Sequence, residues 1–310
     1  MKANIKVRCD ICDSMSFEKV TKLRHSSIGF ISMPISICKR CGFVTVWPRL
    51  SDKDYKAVNQ NWYPKKFKRD PINLKDEDYK FKKWRKMWER IEPFFKDKKL
   101  LKVLDIGSGQ GWALEFLQKK FEYIEATAIE QWKPSQEYLT NKLGVEVIDK
   151  DIDSSWINDL NKKYDFVILR HTLEHLKNPN LVIKQIQLSL DKGGLAYIVV
   201  PNVEYIGNQP VRTDFFRPVH LHYFSPDTFK ALCSKWGLFP VKSEFGSEIW
   251  GLFKSKERKY IKVSNYLKQK KLNDDALKKY KLVDDFNILK INIKIIFIKI
   301  KSLFINSDYL

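Results

Sequence analysis

Long apolar runs are missing from this sequence of 310 residues. None reaches the ~18 uninterrupted apolar residues of a membrane-spanning helix, so no spanning segment is expected. An apolar leader is missing too. Met1–Arg8 is polar and charged, which argues against a secretory signal and makes the cytoplasm the expected compartment. No internal repeat is visible, which sets repeat arrays aside. Acidic residues are in deficit, 37 against 57 Lys and Arg, and the formal net charge is +20. Aromatic side chains are plentiful at 14%, beside an ordinary 44% hydrophobic content. Such a composition folds as a globule, and the length suffices for one large core with small modules at its ends.

The charge excess is uneven. Residues 1–64 carry a net +6, residues 65–102 +8, residues 103–253 −3 and residues 254–310 +9. A slightly acidic centre therefore lies between basic flanks. Two readings stay open: a Lys-rich surface of compositional origin, or a basic face toward a polyanion or an anionic membrane.

Four segments are expected. Residues 1–50 hold four of the five cysteines, and residues 51–100 form a helical linking segment. Within the latter, the spacing of Tyr79, Trp84, Met87, Trp88 and Ile91 predicts a helix inside Asp76–Phe95, closed near Pro93. Residues 101–253 alternate short apolar runs with helical stretches, the pattern of an α/β fold with a parallel sheet wrapped by helices. Strands are expected at Lys102–Ile106, Glu125–Ile129, Val145–Ile148, Phe166–Leu169 and Leu195–Val200. Residues 254–310 form a basic tail, read as helical. Its run Phe286–Ile305 interleaves Ile and Phe with Lys290, Lys294, Lys299 and Lys301. That run suits a packing or dimer helix, or a peripheral anchor on an anionic membrane face.

The densest signal is Val103-Leu104-Asp105-Ile106-Gly107-Ser108-Gly109-Gln110-Gly111-Trp112. A buried strand runs into an acid, then glycines at every second position, then a helix. Glycine permits a tight turn and close approach of a ligand, and the helix offers free N–H groups. Glu130 follows at the end of the next expected strand, where doubly wound folds place an acid for ribose hydroxyls. The spacing differs from the dinucleotide pattern Gly-x-Gly-x-x-Gly.

This run resembles motif I of class I S-adenosylmethionine-dependent methyltransferases. The resemblance implies a Rossmann-like, doubly wound, mostly parallel seven-stranded sheet. It places Asp105 and Gly107 at the methionine end of the cofactor, Gly109 and Gly111 toward the adenosine, and Glu130 at the ribose, with Trp112 also in the cofactor-binding set. Asp151, with Ile152 beside it, matches the adenine position, with Asp149 as a rival. Arg170, at the end of the fourth strand, joins the expected cofactor set. Further on, Tyr164-Asp165-Phe166-Val167 with Leu173-Glu174-His175-Leu176 resembles the ubiquinone-biosynthesis O-methyltransferases. So does Asp191-Lys192-Gly193-Gly194 leading to Pro201-Asn202. The resemblance covers about residues 80–250 and is nearly silent on substrate.

His171, Glu174 and His175 stand at i, i+3 and i+4, so one helical turn would gather them. His220 and His222 alternate, so a strand would put both on one face. Three readings stay open for this set: capping hydrogen bonds, a general base led by His175 and then His171, or a divalent metal held by His171, Glu174, His175 and His220. The metal reading resembles small-RNA 2′-O-methyltransferases, whose first Glu is His171 here. Arg170-His171-Thr172-Leu173 stands where nitrogen-methylating nucleic-acid enzymes carry Asn/Asp-Pro-Pro-aromatic, which counts against methylation of base amines.

Cys9-x-x-Cys12 and Cys38-x-x-Cys41-Gly42 pair as two knuckles, the spacing of a closed structural zinc site. Cys233 stands alone in a helical pattern and is read as packing. A small N-terminal zinc ribbon before such a domain resembles deoxysugar and glycan methyltransferases, with Trp47-Pro48-Arg49 leaning that way, and also ribosomal-RNA guanine methyltransferases. The leading expectation is O-methylation of a sugar hydroxyl on a small-molecule or glycan acceptor. RNA methylation and a non-catalytic, cofactor-binding regulator are the alternatives.

Overall fold

The computed structural model describes residues 5–24, 32–69, 75–95, 99–205, 216–217 and 219–281. The tail run Phe286–Ile305 lies outside them.

A seven-stranded sheet forms the centre. Its parallel part is β4 (Leu100–Ile106), β5 (Tyr123–Ile129), β6 (Glu146–Ile148), β7 (Tyr164–Arg170) and β8 (Leu190–Pro201). All five strands expected from the sequence are present, several of them longer. The two strands of the expected seven that the sequence did not place, β10 (Leu238–Phe245) and β11 (Glu248–Ser255), complete the sheet in the order β10-β11-β8-β7-β4-β5-β6. The parallel strands are near-continuous apolar runs because helices cover both faces. Val103, Leu104, Ile106, Phe166, Val167, Ile168 and Leu169 are all fully buried. The chain reverses direction across the sheet between β4 and β7, where doubly wound folds bind ligands beyond the carboxyl ends of the strands. Because β11 runs antiparallel to β8, its first residue, Glu248, lies opposite Pro201 at that same carboxyl edge.

The helices start where the sequence supplies caps. The Asp76 side chain accepts from Tyr79 N–H and opens α2 (Glu77–Ile91), which follows α1 (Asp52–Arg69). On α2 the buried face is Lys80, Phe81, Met87, Trp88 and Ile91, whereas Tyr79, expected on the apolar face, is 57% exposed. Its place is taken by Lys80, which pairs with Glu115. The glycine loop leads into α3 (Trp112–Gln118), and α4 (Lys133–Leu143) ends on Gly144 in the left-handed region. Asn178 caps α5 (Pro179–Ser189), and a reciprocal Ser225–Thr228 capping box opens α6 (Pro226–Lys235). A further helix covers 266–281.

The N-terminal region forms a second sheet from β1 (Phe17–Arg24), β2 (Ser32–Cys38) and β3 (Val44–Val46). Its fourth strand, β9 (His222–Tyr223), comes from the far side of the sequence and pairs antiparallel with β3. Cys9, Ile11, Cys12, Cys38, Cys41 and Phe43 share one apolar cluster with Leu173, Leu176, Phe224 and Phe229. The cysteine knuckles therefore pack into the core of the large sheet. Gly42 shows how close this packing is: its φ is +81°, and a Cβ there would meet the Asn265 backbone carbon at 2.7 Å.

Candidate active site

The glycine loop sits at the sheet's switch point. Gly107, Gly109 and Gly111 have φ of +70°, +56° and +72°, a region where a side chain is strained. A Cβ on Gly107 would lie 2.7 Å from Thr172 Oγ1 and 3.2 Å from Ile152 Cδ1. The loop after β7 and the Ile152 side chain thus lie directly on the glycine loop. A Cβ on Gly109 would meet nothing within 4 Å, so open space lies over it.

Asp105 is the penultimate residue of β4, at 3% exposure. Burial, reinforced by the charge of Glu130, pushes its carboxyl up to about 8. Glu130 accepts from Gly109 N–H on Oε2 at 2.8 Å, and from Gln131 and Trp132 N–H on Oε1 at 2.9 Å each. It therefore braces the glycine loop against the start of α4. A carboxylate has about four acceptor sites, so these bonds are compatible with a ribose hydroxyl as well. The Ser108 hydroxyl is buried with no hydrogen-bond partner among the described residues. An acid awaiting a cation, an orphaned hydroxyl and an open glycine fit a ligand carrying an ammonium and hydroxyls, as S-adenosylmethionine does.

The other expected cofactor residues separate. Asp151 stays exposed, its Oδ1 accepting from Asp153 N–H at 2.9 Å. Its rival Asp149 is engaged by Lys133 at 2.5 Å. Trp112 opens α3 directly after Gly111. Arg170 turns from the loop toward Glu248 at 3.1 Å, with its guanidinium 5.6 Å from the Trp84 ring.

One prediction arises here. A cation beside Asp105 favours the ionised carboxyl, so cofactor affinity should rise as pH increases through about 8, until the ligand's own ammonium titrates. Asp105→Asn should flatten that dependence and weaken binding about tenfold, by loss of one charge-assisted contact. Calorimetric titration from pH 6 to pH 9 reads both, and a pH-independent wild type would remove Asp105 from the binding set.

The histidine segment follows β7. His171 has φ +50°, a left-handed conformation costly for a residue with a side chain. Its Nδ1 lies 3.3 Å from Glu174 Oε1 and its Nε2 2.6 Å from Glu248 Oε1. Both nitrogens face carboxylates, and this occupies the ring. Glu174 is 1% exposed, in the 3-10 turn Leu173–His175. Burial raises its carboxyl, but the His171 hydrogen bond and the electrostatic pull of His175 and His171 outweigh it and hold the value at about 2. Glu248 behaves alike: burial is overcome by the His171 bond and by His171 and Arg170, again to about 2.

His175 Nδ1 lies 3.0 Å from the Val219 carbonyl, which can only accept, so Nδ1 carries the hydrogen. In the neutral ring the lone pair is then on Nε2, 3.8 Å from Glu174 Oε1. His220 Nε2 lies 4.0 Å from the same oxygen, its ring centroid 4.8 Å from that of His175. Burial holds His220 neutral, its titration pushed well below the ordinary value. Glu174, His175 and His220 bring ligand atoms within 4.8 Å of one another. His171, expected as a fourth ligand, is outside that group because Glu248 holds its ring. His220 and His222 do not share surroundings either. His222 begins β9 and lies between Thr45 and the Leu176 carbonyl.

Sequence reasoning missed Glu248. The available signal was the run Ile249–Phe253 after Gly246, which marks an extra strand.

In the N-terminal region, Cys9 Sγ–Cys41 Sγ and Cys12 Sγ–Cys38 Sγ are each 3.6 Å apart, and all four sulfurs lie within 4.8 Å. A tetrahedral zinc about 2.3 Å from each thiolate sets sulfur separations near 3.8 Å, so the donor set fits that ion. Cys233 is fully buried in α6, and burial pushes its thiol up.

A family profile described as methyltransferase domain matches residues 77–243, more than half of the chain. Among curated proteins, the chain is 28% identical over 102 residues to (S)-tetrahydroprotoberberine N-methyltransferase of Eschscholzia californica, covering 31% of this chain and 28% of that protein. It is likewise 28% identical over 102 residues to (S)-coclaurine N-methyltransferase of Thalictrum flavum subsp. glaucum, covering 31% and 27%. The match thus spans under a third of either relative. Among solved structures, an S-adenosylmethionine-dependent methyltransferase from Clostridium acetobutylicum superposes with TM-score 0.48 at 13% identity, over 63% of this chain and 99% of that one. One from Mesorhizobium loti gives TM-score 0.45 at 12% identity, over 54% and 96%. The chain belongs to the methyltransferase-domain family.

Proposed function

We propose that this enzyme methylates an oxygen, the hydroxyl of a sugar in a nucleotide-linked or surface-glycan precursor. The observation that carries the reading is the buried, ionised Glu174 beside His175, on the loop that touches Gly107. A hydroxyl is a poor nucleophile until its proton leaves, whereas a neutral amine needs no such help. S-adenosylmethionine supplies an electrophilic methyl on its sulfonium. His175 Nε2 accepts the hydroxyl proton, and Glu174 stabilises the imidazolium that results. The glycine loop and Asp105 align the donor, which for a direct displacement is the larger part of the task.

Two metals enter the same proposal. Zinc in the four-cysteine cluster is structural, since thiolates occupy every position. A divalent ion at Glu174, His175 and His220 would take the His175 Nε2 lone pair and so replace that nitrogen as the base, acidifying the hydroxyl directly. Glu174 Oε2 and His220 Nδ1, both buried without hydrogen-bond partners among the described residues, support it. The second reading, methylation of a small-molecule amine, is favoured by the names of the matched plant relatives.

The test incubates the full chain with methyl-labelled S-adenosylmethionine and, in parallel, nucleotide-sugars, glycan extract, total RNA and a panel of secondary amines. Label in the sugar or glycan fraction, stable to alkali as an ether is, is the expected result. Label in RNA or in the amines overturns the oxygen–sugar reading.

A further inference from the structure

The stretch Glu174–Lys177 carries two of the groups assigned to proton transfer, yet its regular structure is a single 3-10 turn, Leu173–His175. So short a turn holds its shape poorly on its own backbone bonds. Its carbonyls are caught from outside instead. Glu174 O accepts from Leu221 N–H at 2.7 Å, and His175 O from the Tyr55 hydroxyl at 3.0 Å. Leu176 O accepts from His222 Nε2 at 2.9 Å, and Lys177 O from Arg49 Nη1 at 2.6 Å. Four consecutive carbonyls thus meet four donors, and none of these belongs to the glycine loop or to the strands of the cofactor cleft.

The donors trace back to the cysteine region. Arg49 lies just after β3, and its Nη2 is held by Asp10 Oδ2 at 2.6 Å, the residue next to Cys9. Tyr55 is on α1. Leu221 and His222 lead into and begin β9, which is the outer strand beside β3. The Leu221 carbonyl accepts from Val46 N–H at 2.8 Å and from the Thr45 hydroxyl at 2.9 Å. Burial lowers His222 to about 4, so its ring is neutral. The Leu176 carbonyl can only accept, which puts the ring's one hydrogen on Nε2. Nδ1 then faces the Thr45 hydroxyl, 3.0 Å away, whose one hydrogen lies within reach of both this nitrogen and the Leu221 carbonyl.

We infer that the four-cysteine region is a jig for the catalytic turn, and that Arg49, Tyr55 and His222 are positioning residues that set Glu174 and His175 against the cofactor loop. The inference rests on the reading that Glu174 and His175 perform the proton transfer. It makes the N-terminal region part of the active site's construction. Removing one clamp loosens the turn and lowers turnover, while the cofactor cleft keeps its shape.

The test uses the full chain as purified, with Tyr55→Phe, His222→Gln and Glu174→Gln. Hydrogen exchange is read at the His175, Leu176 and Lys177 amides, cofactor affinity by calorimetry, and the maximal rate with the accepting fraction found above. In Tyr55→Phe, exchange should quicken about tenfold, the effect of one lost hydrogen bond, and the rate should fall by a similar factor at unchanged cofactor affinity. His222→Gln, which keeps an N–H donor, should show the smaller change in both. Unchanged exchange in Tyr55→Phe overturns the inference, and so does cofactor affinity that falls in step with the rate. Glu174→Gln separates the two layers. If it keeps its rate while Tyr55→Phe quickens exchange, the clamp stands and the catalytic reading beneath it fails. If Glu174→Gln loses its rate and Tyr55→Phe changes nothing, the clamp fails alone.

Discussion

Glu174→Gln is expected to lower the maximal methyl-transfer rate about a hundredfold or more, the usual scale of lost acid–base assistance, with cofactor affinity nearly unchanged. The reason is geometric. Glu174 is the one carboxylate that faces His171, His175 and His220 together, and it is fully enclosed. Glutamine keeps the volume and removes the charge, so an imidazolium forming on His175 loses its counter-ion in a low-dielectric site. The same variant changes acid stability. The folded value near 2 is below the ordinary 4.5, so ionised Glu174 adds stability that is complete above pH 4.5 and is lost as pH falls from there to about 2. Glu174→Gln should lack that component of acid unfolding between pH 4.5 and pH 2. A variant that still transfers methyl at close to the wild-type rate would show that the cluster is structural.

The second large effect is expected nearer the start of the chain. Cys38→Ser should strip the proposed zinc and lower the melting temperature by roughly 10 °C, the scale of several kcal/mol of metal-linked folding energy in a chain of this size. Had the cysteine knuckles been a tethered module, the loss would stay local. Here Cys38 and Cys41 lie in the same apolar cluster as Leu173, Leu176, Phe224 and Phe229, so disorder at the knuckles opens the main core. Molecules that remain folded should still bind S-adenosylmethionine, because Asp105, Glu130 and the glycines belong to β4, β5 and their loops. Elemental analysis, thermal melts and cofactor titration read the three parts. Wild-type protein purified without zinc would remove the metal assignment.

How much of this was legible beforehand differs from site to site. The glycine loop is read in one short stretch because backbone torsion, strand end and helix start all depend on neighbours in sequence. The two Cys-x-x-Cys knuckles carry their own spacing, and the structure brings their sulfurs together. The histidines were harder. Periodicity grouped His171, Glu174 and His175, but it could not tell that Glu248, 77 residues beyond His171, takes that ring out of the group. It paired His220 with His222, whereas β9 begins between them and sends each to a different partner. Tyr79 was read onto a buried face that Lys80 occupies instead, because a long side chain can bury its stem while its ammonium reaches Glu115.

The sequence by itself determined the glycine loop, the parallel strands that carry it and the grouping of the four cysteines. These rest on local torsion, apolar runs and fixed short spacings. Only the tertiary structure decided which histidine faces a carboxylate, that an antiparallel strand delivers Glu248 to the carboxyl edge, and that Arg49, Tyr55 and His222 meet the Glu174–Lys177 carbonyls. Those contacts join residues separated by some 45 to 130 positions, as Tyr55 is from His175 and Arg49 from Lys177. Hydrogen bonds of that kind leave no period in a sequence, since each donor needs only the right place in space and no fixed distance along the chain.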